Sequence, residues 1–164
     1  MDKRQDALWG AADFMVQARD LVHKKYHPAV LTCTQISSSP AAFNIVPDEA
    51  KFALEFRHGT EELLDQMAAD LMALGQTIAQ KYGLDFEWDD VSDCAAAPAA
   101  ENMMQALESA ADKLKLTHKR MMSFAGHDTQ MMSNFVPSAM FFVPSEEGIS
   151  HNPKEFTKEQ DVIN

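Results

Sequence analysis

Hydrophobic spacing over residues 7–91 switches between helical and strand periods in a fixed order, and that order restricts the folds open to the chain. Ala7, Leu8, Ala11, Phe14, Ala18, Leu21 and Val22 recur at helical intervals, which predicts one amphipathic helix ending before His27-Pro28. Val30–Ile36 reads as a strand. Phe43–Val46 reads as a short extended piece after the SSSP turn, and Lys51–Arg57 as a half-buried strand with Phe52, Leu54 and Phe56 on one face. Thr60 at the N-cap, Glu61 and Glu62 in the first turn, and the stripe Leu63, Met67, Leu71, Leu74 and Ile78 make a second helix that Gly83 stops. Leu84–Val91 alternates Leu84, Phe86 and Trp88 with acids and reads as a further strand with a solvated acidic face. Helix, strand, strand, helix, strand is a ferredoxin-like split β-α-β sheet lacking its first strand, which is expected before Met1.

A composition break at CAAAPAA, residues 94–100, divides the chain into 1–96 and 97–164. Beyond it, Met103, Leu107, Ala110, Ala111 and Leu114 mark a third helix, and strand, turn, helix and strand are predicted from Met121 to Val143, an α/β alternation. Thr157-Lys158-Glu159-Gln160 is a capping box, so a helix should open at about Lys158. The expected class is α/β in the broad sense, with segregated helices and sheet (α+β) in the first part.

A net charge of −11 repels nucleic-acid phosphates and anionic membrane surfaces, so neither is expected as a partner. His118-Lys119-Arg120 is too short a basic run to reverse that. Cys33 and Cys94 lie in different segments without metal-type spacing and read as free thiols of a reducing compartment. The N-terminus has no signal-peptide core, and no apolar run approaches the roughly 20 residues of a membrane span, so a soluble cytoplasmic protein is expected.

Chemistry concentrates between Ser123 and Thr157, where two histidines sit in turns on either side of one apolar run, Ala139–Val143. Gly126-His127-Asp128 opens a short helix, and Gly126 would let backbone amides approach an anion. His151 follows the run in GISHNP, with Pro153 stiffening the turn and Glu155 near enough to orient an imidazole bound to metal. On spacing alone, His151 reads first as a hydrogen-bonded loop histidine, and Gly126 and His127 are equally a plain turn and its cap. His23 and His27 lie four apart, but no acid stands between them as in HExxH, and Pro28 follows. They read as surface residues.

The wording AGHD, MFFVPS and GISHNPKE, in that order, resembles the metal-dependent N-carbamoyl amino-acid hydrolases and allantoate amidohydrolases, the hydantoinase/carbamoylase amidases among the aminoacylase-like dimetal hydrolases. RQDAL at Arg4–Leu8 and SPAAFNIVPDEAKFALEFR at Ser39–Arg57 are similar to that family's lid domain. The resemblance implies a lid over 1–96 that serves homodimerisation, and the C-terminal portion of the metal-binding catalytic domain over 97–164. It makes His151 a ligand of one of two divalent ions (Zn, Mn or Co), Gly126 and His127 substrate contacts, and Asn44 and Arg57 neighbours across the hairpin that hold the carboxylate of a small ureido or carbamoyl acid. The chemistry suits Arg57, since a guanidinium fork grips a carboxylate with two bonds. One departure is Phe124, where the family usually has Gly.

The general base, the bridging carboxylate and the other ligands of such a centre fall, by the same resemblance, ahead of Met1. The sequence is therefore expected to be a central-to-C-terminal part of an amidase of about 400 residues, the scale of two domains. Taken by itself it should hold no catalytic residue, bind no metal tightly and be inactive. The competing readings are an aminoacylase or dipeptidase relative, and a non-catalytic split β-α-β module used for self-association.

Overall fold

Asp6 opens the first helix of the computed structural model, its Oδ1 accepting from the backbone N–H of Trp9 at 3.3 Å, so that α1 runs over Ala7–Lys25. The structure describes residues 4–91 and 95–163; Cys94 and the first three residues lie outside them. Two compact units are present, Met1–Ala96 and Ala97–Asn164.

In the first unit, Phe14, Ala18 and Val22 of α1 are buried against Met67, Leu71 and Ile78 of α2 (Glu61–Tyr82). Met67, Leu71 and Val22 are fully buried, and each such side chain contributes about 1.5–3 kcal/mol of transfer free energy. The helices run antiparallel, and polar clamps fasten both ends. Lys25 Nζ and the Tyr26 hydroxyl donate to Asp70 Oδ2 at 2.5 and 2.7 Å, while Lys81 Nζ and the Tyr82 hydroxyl donate to Asp13 Oδ2 at 2.6 and 3.2 Å. Thr60 is the N-cap of α2, although its side chain makes no capping bond; Gly83 closes the helix in the left-handed region at φ 67°.

Strands β1 (Val30–Ser39) and β2 (Glu49–Arg57) pair antiparallel from Val30 opposite Arg57 to Ser39 opposite Glu49, with a bulge between Cys33 and Gln35. Phe52, Leu54 and Phe56 face the helices as their alternation predicts, and Phe52 meets Phe14 at 5.4 Å between ring centres. The expected extended piece at Phe43–Val46 is instead a turn. Ile45 N–H donates to the Ala42 carbonyl and Asp48 N–H to that of Ser39, closing the loop locally, and Ala7 N–H ties it to the start of α1 through the Pro47 carbonyl.

Leu84–Val91 is also corrected, because it makes no strand ladder among the described residues. Alternation alone does not make a strand; a hydrogen-bonded neighbour does. The segment still alternates as read, with Leu84, Phe86 and Trp88 half-buried and the acids out. It closes on the helices at two glycines. A Cβ on Gly10 would meet Leu84 Cδ1 at 2.6 Å, and one on Gly75 would lie 2.3 Å from the Phe86 ring.

The second unit contains α3 (Glu101–Lys113), α4 (Asp128–Met132), a 3-10 turn at Glu146–Gly148 and α5 (Glu159–Ile163). The strands predicted around Met121–Val143 do not form among the described residues, again for want of ladder partners, and the apolar run is open: Phe141 is 71% and Phe142 51% exposed. Every fully buried residue described lies in the first unit. Polar contacts do more here, and Arg120 grips both Glu101 oxygens at 2.8 Å and both Glu108 oxygens at 2.6 and 2.8 Å. That guanidinium, with help from Gln105, holds Glu101 down to about 2.

Two outcomes follow for the first unit. Gly75→Ala gains helix propensity of about 1 kcal/mol but drives a methyl into an aromatic ring. A net loss of about 1–3 kcal/mol in urea unfolding is expected, with Phe86→Leu restoring most of it in the double variant. If Gly75→Ala is as stable as the original, the Phe86 contact is wrong. The second outcome concerns pH. Asp13 and Asp70 are held below the ordinary carboxylate value by their hydrogen bonds from Lys81 and Lys25. Their stabilisation is complete above the unfolded-state pKa of about 4 and disappears as pH falls through the lower folded values. Denaturation midpoints should thus drop in acid, and Asp13→Asn with Asp70→Asn should flatten that part of the profile.

Candidate functional site

The AGHD turn is built around one hydroxyl. Ser123 Oγ lies 2.6 Å from His127 Nε2 and accepts the Ala125 N–H at 3.2 Å. His127 is the N-cap of α4 in extended conformation, and its half-buried ring is met edge-on by Phe142 with ring centres 5.7 Å apart. The Ala139–Val143 segment, although not a strand, therefore delivers an aromatic wall to the first histidine.

Around His151 the loop is held by its own polar groups. The His151 backbone N–H donates to Glu155 Oε2 at 2.7 Å, Lys154 N–H to Asn152 Oδ1 at 3.0 Å, and Glu155 N–H to the Asn152 carbonyl at 2.9 Å. Glu155 thus orients the main chain of His151 rather than its imidazole, which corrects the predicted contact. The His151 side chain is exposed.

Both turns adopt backbone shapes that L-residues seldom take. Phe124, Glu147 and His151 have φ of 56°, 56° and 54°, and Gly148 has 70°. Such a conformation costs a residue with a Cβ roughly 1–2 kcal/mol. Phe124 occupies its left-handed position where the resemblance led to an expectation of Gly, so a residue with a Cβ holds a conformation that glycine takes without strain. Gly126 is the opposite case: its φ is not positive, and a Cβ there would meet nothing nearer than Gln130 Oε1 at 4.0 Å.

Asn44 is exposed in the loop between the strands, and Arg57 ends β2 opposite Val30 at the far end of the hairpin. The eight residue steps from Glu49 to Arg57 separate these ends by about 26 Å. The predicted closeness of Asn44 and Arg57 across the hairpin does not hold, because the loop that carries Asn44 connects the other ends of the two strands. Arg57 Nε and Nη2 both donate to Glu55 Oε1, at 2.9 and 2.5 Å, so a neighbouring carboxylate already engages the fork.

Among the described residues, no three His, Cys, Asp or Glu side chains converge as a metal site, and the His23/His27 pair gains no third partner. Ser123, Phe142 and Glu55 were not singled out by pattern. Ser123 does carry a signal, a hydroxyl four residues before His127 at the edge of a turn; Phe142 is one of several apolar residues in its run, and nothing in the sequence distinguishes it.

The glycines provide a direct check. Gly126→Ala should leave unfolding stability unchanged or raise it by up to about 1 kcal/mol, since space and φ are both permissive. Gly148→Ala should lower it by about 1 kcal/mol because of its φ. A large destabilisation by Gly126→Ala would show that glycine is required there by the fold itself.

The sequence profile described as Peptidase family M20/M25/M40 matches residues 9–164. An allantoate amidohydrolase of Bacillus subtilis (strain 168) is 34% identical over 127 residues, covering 77% of this chain and 31% of that protein. An N-carbamoyl-L-amino-acid amidohydrolase of Paenarthrobacter aurescens is 31% identical over 162 residues, 99% of this chain and 39% of that protein. The crystal structure of a hydantoinase/carbamoylase family amidase from Burkholderia multivorans superposes with a TM-score of 0.87 at 28% identity, over 99% of this chain and 39% of that one. The chain spans less than two fifths of the length of each of these relatives. It belongs to the M20/M25/M40 peptidase family, and its similarity there is to the allantoate and N-carbamoyl amino-acid amidohydrolases.

Proposed function

We propose that the whole protein containing this sequence is a metal-dependent amidohydrolase that cleaves a carbamoyl or ureido C–N bond in an N-carbamoyl amino acid or an allantoate-like acid. The observation that carries this reading is the family match over residues 9–164, which runs through both units and includes AGHD, MFFVPS and GISHNPKE in order. On this reading residues 1–96 are the lid and 97–164 a portion of the catalytic domain. The open apolar run at Phe141–Val143 supports the second assignment, since exposed apolar patches usually face another surface.

The residues described do not by themselves fit a dinuclear centre, because no cluster of three potential ligands exists among them. His151 would supply one imidazole to a pair of divalent ions (Zn, Mn or Co), and the remaining ligands and the general base would come from elsewhere in the whole protein. The chain alone would then be inactive. Gly126 and His127 contact the substrate near the scissile group. Arg57 anchors its carboxylate, which takes the place now held by Glu55 Oε1. Asn44 of the same copy is too distant to share that carboxylate, so in a homodimer formed through the lids the two roles fall to different copies. The outer edge of β1, unpaired among the described residues, suits such an association, and the exposed free thiol of Cys33 suits a cytoplasmic setting. No helix among the described residues is long and apolar enough to cross a membrane.

Arg57→Lys in the whole protein keeps the charge and loses the planar fork, so it should weaken carboxylate-substrate binding by about 1.5–3 kcal/mol. The amide analogue of the substrate should be almost insensitive to the change. Dimers mixed from Arg57→Lys and Asn44→Ala copies should regain activity, because one of their two sites would then receive both original residues. Unchanged kcat/KM in Arg57→Lys would remove the anchor role, and absence of hydrolysis of any carbamoyl or ureido acid by the metal-loaded whole protein would remove the reading.

A further inference from the structure

We infer that Ser123 is a positioning residue that fixes neutral His127 as the Nδ1–H tautomer, so that the ring offers a hydrogen-bond donor to the carbonyl oxygen of an acyl or ureido ligand. The tautomer follows from counting protons. A serine hydroxyl has one proton to give and two lone pairs to receive. One lone pair takes the Ala125 N–H at 3.2 Å, and Nε2 of His127 stands 2.6 Å from the same oxygen. If Nε2 carried the proton, Ser123 would accept twice and leave its own O–H to solvent, since no other described residue is hydrogen-bonded to that side chain. Donation of the hydroxyl proton to the Nε2 lone pair satisfies both groups within the turn. The bond made by one imidazole nitrogen decides the state of the other, so Nδ1 keeps its hydrogen.

Phe142 adds the second constraint. Its ring meets His127 at 66°, edge to face, and so packs against the imidazole while Nε2 stands beside Ser123. Nδ1 has no hydrogen-bond partner among the described residues and remains available. A neutral imidazole presenting N–H polarises a carbonyl and does not take a proton from water, which makes His127 an electrophile rather than a base. The inference rests on the amidohydrolase reading only for the identity of the ligand that Nδ1–H meets. The tautomer itself stands on the hydrogen bonds.

The test uses the 15N-labelled 164-residue chain and long-range 1H–15N correlation of the imidazoles, at a pH above their titration, with His127 assigned by the signals lost in His127→Gln. Nδ1 should be of the pyrrole type and Nε2 of the pyridine type. Ser123→Ala should move both nitrogens toward the averaged shifts of a freely exchanging imidazole, and Ser123→Thr, which keeps the hydroxyl, should recover the original pattern. A pyrrole-type Nε2 in the original chain overturns the inference, as does an unchanged pattern in Ser123→Ala or a failure of Ser123→Thr to recover it. None of these results bears on whether the whole protein hydrolyses carbamoyl acids, so failure of the tautomer and failure of the amidohydrolase reading remain distinguishable.

Discussion

The antiparallel contact between α1 and α2 is the constraint on which the first unit depends. Its apolar centre, Phe14, Ala18, Val22, Met67, Leu71 and Ile78, supplies the only continuous buried cluster described, and the hairpin is held to it through Phe52, Leu54 and Phe56. The clamps at its ends are reciprocal. Each helix carries an Ala-Ala-Asp near its start or middle and a Lys-Tyr at its end, and the Asp of each receives the Lys and Tyr of the other. A hydrophobic seam resists separation but is less particular about sliding; two charge-assisted clamps at opposite ends fix the register. With register fixed, Gly10 and Gly75 present the notches into which Leu84 and Phe86 fit.

The second unit obeys a different balance. None of its described residues is buried, so the helix and turns there depend more on local polar closure than on a core. Arg120 bridges the first and second turns of α3 through Glu101 and Glu108, Ser123 gathers the AGHD turn, and Glu155 pins the backbone of His151. Such contacts define short-range geometry well. They place each histidine within its own loop without requiring the strands expected between them.

What the sequence made legible was whatever depends on period and on local caps. The α1 stripe, the Phe52-Leu54-Phe56 face and the Gly83 stop are read from neighbours within a few residues, and the structure has them. Leu84–Val91 and Ala139–Val143 failed as strands because a strand needs a hydrogen-bonded partner, however remote in sequence, whereas their side-chain alternation or apolar character is local. The Asn44–Arg57 pairing failed for a related reason: the motif spacing said nothing of which end of the hairpin each residue occupies. His127 and Gly126 were legible as a turn, but the hydroxyl that orders the imidazole was hidden, since serine before a turn has many ordinary uses. His151 was legible as a loop residue; its left-handed backbone was not, because the enrichment of histidine in that conformation is too weak to single out one position in a turn.

Phe124 separates two things that usually vary together. Its main chain adopts a shape that glycine takes without strain, yet the position carries a large aromatic group. The turn geometry is therefore maintained by its surroundings, including the Ala125 to Ser123 hydrogen bond, and not by the preference of the residue that occupies it. Side-chain bulk at residue 124 is thus set separately from the path of the backbone, which makes it a place where the surface of the AGHD turn can be altered without the turn being redesigned.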